Sequence, residues 1–354
     1  MRRLSLSSLM LLAPVAACVL AGCRDQANGG GAGARDQISA VGSSTVYPFT
    51  TMIAEQLVAA DPDASAPVIE STGTGAGMKL FCAGIGAAHP DIEDASRRMK
   101  ASEYKDCAKN GVTDIMEVQV GIDGIAFAEA KNGPKMALNP AQLYLALAAA
   151  PAGKPNSRRT WRDVDPSLPA IPIQVYGPPA TSGTRDALSE LILTKGCEAS
   201  NPAAKPLSKS DPDAFKALCT RVREDGAYID AGENDNLIVQ KLQSNPNAIG
   251  VFGYSYLDEN AGAVDGVPIS GVAPTYQAIA DGRYPGSRPL YIYVKKAHLA
   301  AIPNLRTFLK LYAANWGPDG PLVGRGLIAA PDDIRARAAQ VVATEATLNP
   351  ADLK

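Results

Sequence analysis

Three short stretches carry the residue types that hold an anion through directed hydrogen bonds. They are Gly42-Ser43-Ser44-Thr45-Val46-Tyr47-Pro48, Ser71-Thr72-Gly73-Thr74-Gly75-Ala76-Gly77 and Ala180-Thr181-Ser182-Gly183-Thr184-Arg185. Each follows an apolar run and precedes a helical pattern, which sets hydroxyls beside the unpaired N–H groups and partial positive charge of a helix start. In the first, Ser44 and Thr45 add hydroxyl donors, although a plain Ser/Thr cap accounts for one such loop equally well. In the second, the glycines let the backbone approach a ligand closely. Met78 stands where a dinucleotide fingerprint needs its third glycine, and the Gly-Lys-Ser/Thr of an NTPase loop is missing. In the third, Arg185 falls in the first helical turn, against the dipole; a bound anion or the neighbouring Asp186 would relieve that conflict. A fourth element, Ala95-Ser96-Arg97-Arg98, offers a planar guanidinium fork for two oxygens of an oxyanion.

The elements that would position these loops alternate along the chain. Strands are expected at Ile38–Val41, Val68–Ser71, Asp91–Ala95, Ile171–Tyr176, Ile249–Phe252 and Leu290–Val294. Helices are expected at Pro48–Ala60, Met78–Ala83, Pro140–Ala149, Thr184–Leu193, around Phe215–Val222 and Leu237–Leu242, then at Leu305–Leu311 and Ala336–Val342. The alternation predicts an α/β fold with mostly parallel sheets, ligands gathering at the carboxyl ends of the strands. Ile115–Val120 and Ile122–Ala128 are apolar runs split by Gly121; Gln119–Phe127 and Ile249–Tyr254 lie about one domain apart and read either as two hinge crossings or as core strands.

The N-terminus reads as an export signal. Arg2 and Arg3 precede the apolar stretch Leu4–Leu20, which is marginal in length for a bilayer span and ends at Leu20-Ala21-Gly22-Cys23. That ending looks like a bacterial lipobox with Cys23 as the lipidated residue, and Arg24 in place of an inner-membrane retention aspartate favours the outer membrane in a Gram-negative cell. The Gly/Ala-rich residues that follow, up to 37, read as a tether. Removing residues 1–22 takes away two arginines and no acid, so the formal charge moves from −2 to −4. Bulk attraction therefore does not drive anion binding, and there is no concentrated basic face for nucleic acid. With 46% hydrophobic residues the chain can bury a substantial core and is not disordered.

Four cysteines remain, and three pairings are open. Cys82–Cys107 and Cys197–Cys219 each close a short local loop, and each would stabilise by roughly 3 kcal/mol in the chain-entropy model. His89 and His298 are the only histidines, and CxxC spacing is missing, so neither a metal site nor another cofactor is expected. The chain also lacks a GxSxG elbow, which argues against an esterase or phosphatase.

The order GSSTVYPF, STGTGAGMK, DIEDASRRM, ATSGTRDAL, NAIGVFGYSY resembles the periplasmic phosphate-binding proteins (PstS family) of bacterial Pst-type ABC importers. The resemblance implies a type II periplasmic binding protein fold of two α/β lobes joined by two hinge crossings. Its expected parts are 38–120 with 254–354 as lobe 1 and 121–253 as lobe 2. It implies a monomeric, lipid-anchored, non-enzymatic receptor that captures inorganic phosphate in the periplasm and delivers it to the membrane permease. By the same resemblance Ser44, Thr45, Val46, Thr74, Ser96, Arg97, Ser182, Gly183 and Thr184 hold phosphate, and Arg185 is an arginine many members carry there. Two positions depart from the best-known members. Arg97 stands where they place the aspartate that accepts the proton of monohydrogen phosphate, and Pro178 where they place an arginine. Asp94, Asp123 and Asp235 are then candidate proton acceptors, and sulfate or molybdate is the alternative ligand.

Overall fold

The structure is a computed structural model that describes residues 35–180, 182–232 and 235–353, the side chain of Asp235 excepted. The expected signal, Cys23 and most of the tether lie outside the described residues, as does Thr181.

Among the described residues nine strands form one continuous mixed sheet: β1 Ser39–Gly42, β2 Val68–Ser71, β3 Ile92–Ala95, β4 Ile115–Ala130, β5 Val175–Gly177, β6 Tyr228–Asp230, β7 Ile249–Gly253, β8 Val264–Gly266 and β9 Ser287–Lys295. Their order is β2-β1-β3-β9-β4-β7-β5-β6, with β8 on β4. The expectation of mostly parallel pairing is corrected. β1, β2 and β3 are parallel, as are β5, β6 and β7, but every pairing of β4 and β9 is antiparallel. A returning strand inserted from late in the chain carries no local sequence signature.

β4 is the spine. Its first part pairs with β9, its last part with β7 and β8, and the register slips between Gln119 and Gly121, where sequence analysis divides the run in two. β9 shows period-two alternation. Leu290, Ile292 and Val294 enter one core with Ile38, Ile92, Val118 and Phe308, while Tyr291 and Tyr293 face Met78 and Phe81 on the other side. A separate core gathers Phe127, Leu143, Trp161, Val175, Ile238 and Phe252. Tyr254, Leu257, Val264, Ile269 and Tyr284 belong to that same core. The chain leaves that core near the start of β9, and Ile328 and Ala330 return to it.

Both expected disulfides are present: Cys82–Cys107 and Cys197–Cys219. Among the described residues no helix is long and apolar enough to cross a membrane.

Candidate functional site

The parallel strands β1, β2, β3 and β5 all deliver their carboxyl ends to one cleft. The loop after β1 leads into helix α1 (Tyr47–Ala60), and the loop after β2 into helix α2 (Thr74–Phe81). The cleft, of about 410 Å³, is lined by Ser43, Ser44, Thr45, Ser71, Thr72, Gly73, Thr74, Ser96, Asp186, Glu190 and Lys216. An adjoining space of about 430 Å³ adds Gly75, Ala76, Arg97 and Thr194.

In the first loop Ser43, not Ser44, makes the internal turn. Its N–H donates to the Asp94 carbonyl (2.7 Å), and its Oγ accepts from the N–H groups of Thr45 (3.1 Å) and Val46 (3.4 Å). Ser44 Oγ donates across the cleft to Asp186 (2.5 Å), and Thr45 Oγ1 accepts from Arg288 Nη2 (2.9 Å). The Val46 N–H turns to Ser43, and its side chain is fully buried in the core.

The second loop is tied to the first, since the N–H groups of Thr72 and Gly73 both donate to the Gly42 carbonyl (2.9 and 2.7 Å). Gly73 has φ of 78°, a region that favours glycine. A Cβ on Gly77 would lie 2.3 Å from Glu93 Oε2 and 2.6 Å from Gly42 Cα, so only glycine lets the two loops meet. Thr74 Oγ1 accepts from the Ser96 N–H (3.0 Å) and lies 3.1 Å from Ser96 Oγ, joining the second and fourth elements.

The third loop reaches the first at close range: a Cβ on Gly183 would meet Thr45 Cα at 3.2 Å. Ser182 Oγ accepts from the Thr184 N–H (3.3 Å), capping the short helix Gly183–Ala187. Ser44, Thr45, Thr74 and Ser96 are thus brought to the cleft, and Gly183 lies against Thr45.

The two predicted arginines are engaged elsewhere. Arg97 borders the adjoining space but makes a bidentate pair with Glu103 (2.9 and 2.7 Å). Arg185 donates to the Pro178 carbonyl (3.2 Å) and stacks 4.2 Å above the Tyr228 ring, which answers its conflict with the helix dipole without an anion. Two of the candidate proton acceptors do not line the cleft: Asp94 is buried, and Asp123 is half-buried. Asp94 accepts from Thr50 Oγ1 (2.9 Å), and Asp123 pairs with Arg288 Nε (3.1 Å).

Sequence reasoning missed three cleft-lining groups, Asp186 (considered only as a charge partner), Glu190 and Lys216, and it missed Arg288, which reaches Thr45 from behind the cleft. Arg288 sits at the head of an apolar strand, a place where a buried arginine needs partners, and that was the available signal. Beneath the loops, burial pushes the Glu93 carboxyl up to about 11 and Asp94 up to about 8. Both are therefore largely neutral at pH 7, which removes two negative charges from under an anion site.

The PBP superfamily domain model matches residues 27–315. The SphX protein of Synechococcus elongatus is 32% identical over 80% of this chain and 75% of its own length. The phosphate-binding protein PstS of Staphylococcus saprophyticus is 28% identical over 85% of this chain and 83% of its own. Among solved structures, a possible phosphate binding protein from Planctomyces limnophilus superposes with a TM-score of 0.70 at 29% identity, covering 87% of this chain and 98% of that one. An ABC-type phosphate transport receptor from Vibrio cholerae, at 20% identity and a TM-score of 0.55, shares the fold. With strand-end loops converging on one cleft and a mixed sheet built on β4, this chain belongs to the PBP superfamily, with the two-lobed fold of its SphX and PstS relatives.

Proposed function

We propose that this chain is an extracytoplasmic receptor, not an enzyme, that captures inorganic phosphate in the cleft between two lobes and passes it to an ABC permease. The observation that carries the reading is the convergence of Ser44, Thr45, Thr74 and Ser96, from three separate strand ends, on one cleft. Four hydroxyls with adjacent helix starts suit a tetrahedral oxyanion better than a flat or apolar ligand. The SphX and PstS relatives support phosphate as that anion.

Asp186 and Glu190 face the cleft and take the part left open by Arg97. A carboxylate there accepts the proton of monohydrogen phosphate but meets only repulsion from sulfate. Lobe 1 is then 38–120 with 287–353 and lobe 2 is 121–286, with Ile328 and Ala330 of the last segment packed into the lobe 2 core. His298 pairs with buried Asp91, at the opposite end of β3 from Ser96. Export on residues 1–22 and lipid attachment at Cys23 complete the proposal, and mass spectrometry of the N-terminal peptide tests them.

Calorimetric titration of phosphate into phosphate-stripped protein is the test of function. One-to-one binding that sulfate and molybdate do not displace is expected. Displacement by sulfate would reassign the ligand, and steady release of nitrophenolate from its phosphate ester would overturn the receptor reading.

A further inference from the structure

One buried guanidinium ties the anion cleft to both halves of the molecule. Arg288 opens β9 and stands opposite Asp123 of β4 in antiparallel register. It is only 7% exposed. Its Nε donates to Asp123 Oδ2 (3.1 Å), its Nη2 to Thr45 Oγ1 (2.9 Å), and its Nη1 pairs with Glu190. Three segments distant in sequence thus meet on one side chain: the first loop, the crossing strand, and the helix after the third loop. Glu190 itself lies in a π-helical turn, Leu188–Leu193, set between the α-helical turns Gly183–Ala187 and Thr194–Ser200. Such turns are rare and occur frequently at functional sites.

The donor inventory gives this contact a chemical direction. Arginine only donates, so Thr45 Oγ1 must accept from it. The single hydroxyl proton of Thr45 is then left to donate, and the guanidinium polarises that O–H. Thr45 lines the cleft. We infer that Arg288 is a positioning residue of the anion cleft: it commits the Thr45 hydroxyl as a donor to the anion and holds Glu190 at the rim. Lysine cannot replace it, because a single ammonium does not present a planar fork to three separate acceptors.

This inference rests on the phosphate-receptor reading. Phosphate is titrated calorimetrically into the wild type, R288M, R288K, T45V, T45S and the R288M/T45V double variant. R288M and T45V are each expected to weaken phosphate about 100-fold, as for the loss of one partner of a buried charged contact. In the T45V background R288M should cost far less, about threefold or under, because the hydroxyl it prepares is gone. T45S should bind within about threefold of wild type, since it keeps the hydroxyl. R288K should stay at least about tenfold weaker than wild type despite its charge. If R288M does not fold, R288K and the T45V/T45S pair decide the matter. Additive losses in the double variant, wild-type affinity in R288K, or equal affinities in T45V and T45S would overturn the inference. No phosphate binding by the wild type would instead remove the receptor reading on which it stands.

Discussion

Replacing Glu93 by glutamine should make the protein more stable at neutral pH. β3 alternates faces, so Ile92 and Asp94 point toward α1 and the helix Leu305–Asn315, and Glu93 and Ala95 toward α2. Glu93 is fully buried, and among the described residues neither of its carboxyl oxygens has a hydrogen-bond partner. Burial pushes its carboxyl from 4.5 up to about 11, the neighbouring Asp94 adds to the rise, and Arg97 opposes it. In the folded protein the group is a neutral acid, whereas in the unfolded chain it ionises above about pH 4.5. Folding therefore takes up a proton, and the associated stability is full below pH 4.5 and is lost as pH rises toward 11. At about 1.4 kcal/mol per pH unit, the loss at pH 7 is on the order of 3 kcal/mol. Glutamine has the same shape and never ionises, so Glu93→Gln should gain stability on that order at pH 7 and little at pH 5. Urea unfolding of both proteins from pH 5 to pH 8 measures it. A difference that does not grow with pH would show that Glu93 is charged and compensated in the folded state, and would refute the reasoning.

Gly77→Ala should cost roughly 1–3 kcal/mol through overpacking against Glu93 and Gly42, read as a lower urea midpoint. Gly75→Ala, where an added Cβ meets nothing within 4 Å, should not lower the midpoint. Removing Cys82–Cys107 or Cys197–Cys219 by paired serine substitutions should each destabilise by about 3 kcal/mol, given loops closed over separations of 25 and 22 residues. Asp91→Asn should destabilise by about 3–5 kcal/mol, because Asp91 is the buried partner of both Arg35 and His298. Thermal melts of the variant beside the wild type would show that loss, and an unchanged midpoint would speak against it.

Much of the scaffold was legible because its signals are local. The three Ser/Thr/Gly loops each sit between a strand and a helix as expected, and the break at Gly121 corresponds to a real slip in the β4–β9 register. The disulfides followed from short loop closure. What was not legible depends on distant pairing. β9 enters antiparallel between β3 and β4 from more than 150 residues away, so the parallel expectation failed there. Residues within 254–284 join the core under β4, with β8 paired on β4, and no local signal shows that placement. Within the cleft, hydroxyl positions were readable from type and spacing, but side-chain partners were not. Arg97 finds Glu103 six residues on, in the helix Ala101–Lys109, Arg185 finds a tyrosine ring, and Arg288 reaches Thr45 only because the sheet brings residues 45 and 288 together.

The central claim is that the hydroxyls gathered at the strand ends bind phosphate. Titration calorimetry of phosphate into the stripped wild type and into a Thr45→Val/Thr74→Val variant tests it most directly. The account predicts one-to-one binding by the wild type, unchanged by excess sulfate, and affinity reduced by more than about 100-fold in the variant, for two charge-assisted hydrogen bonds lost. Absence of phosphate heat in the wild type, or wild-type affinity in the variant, would contradict it.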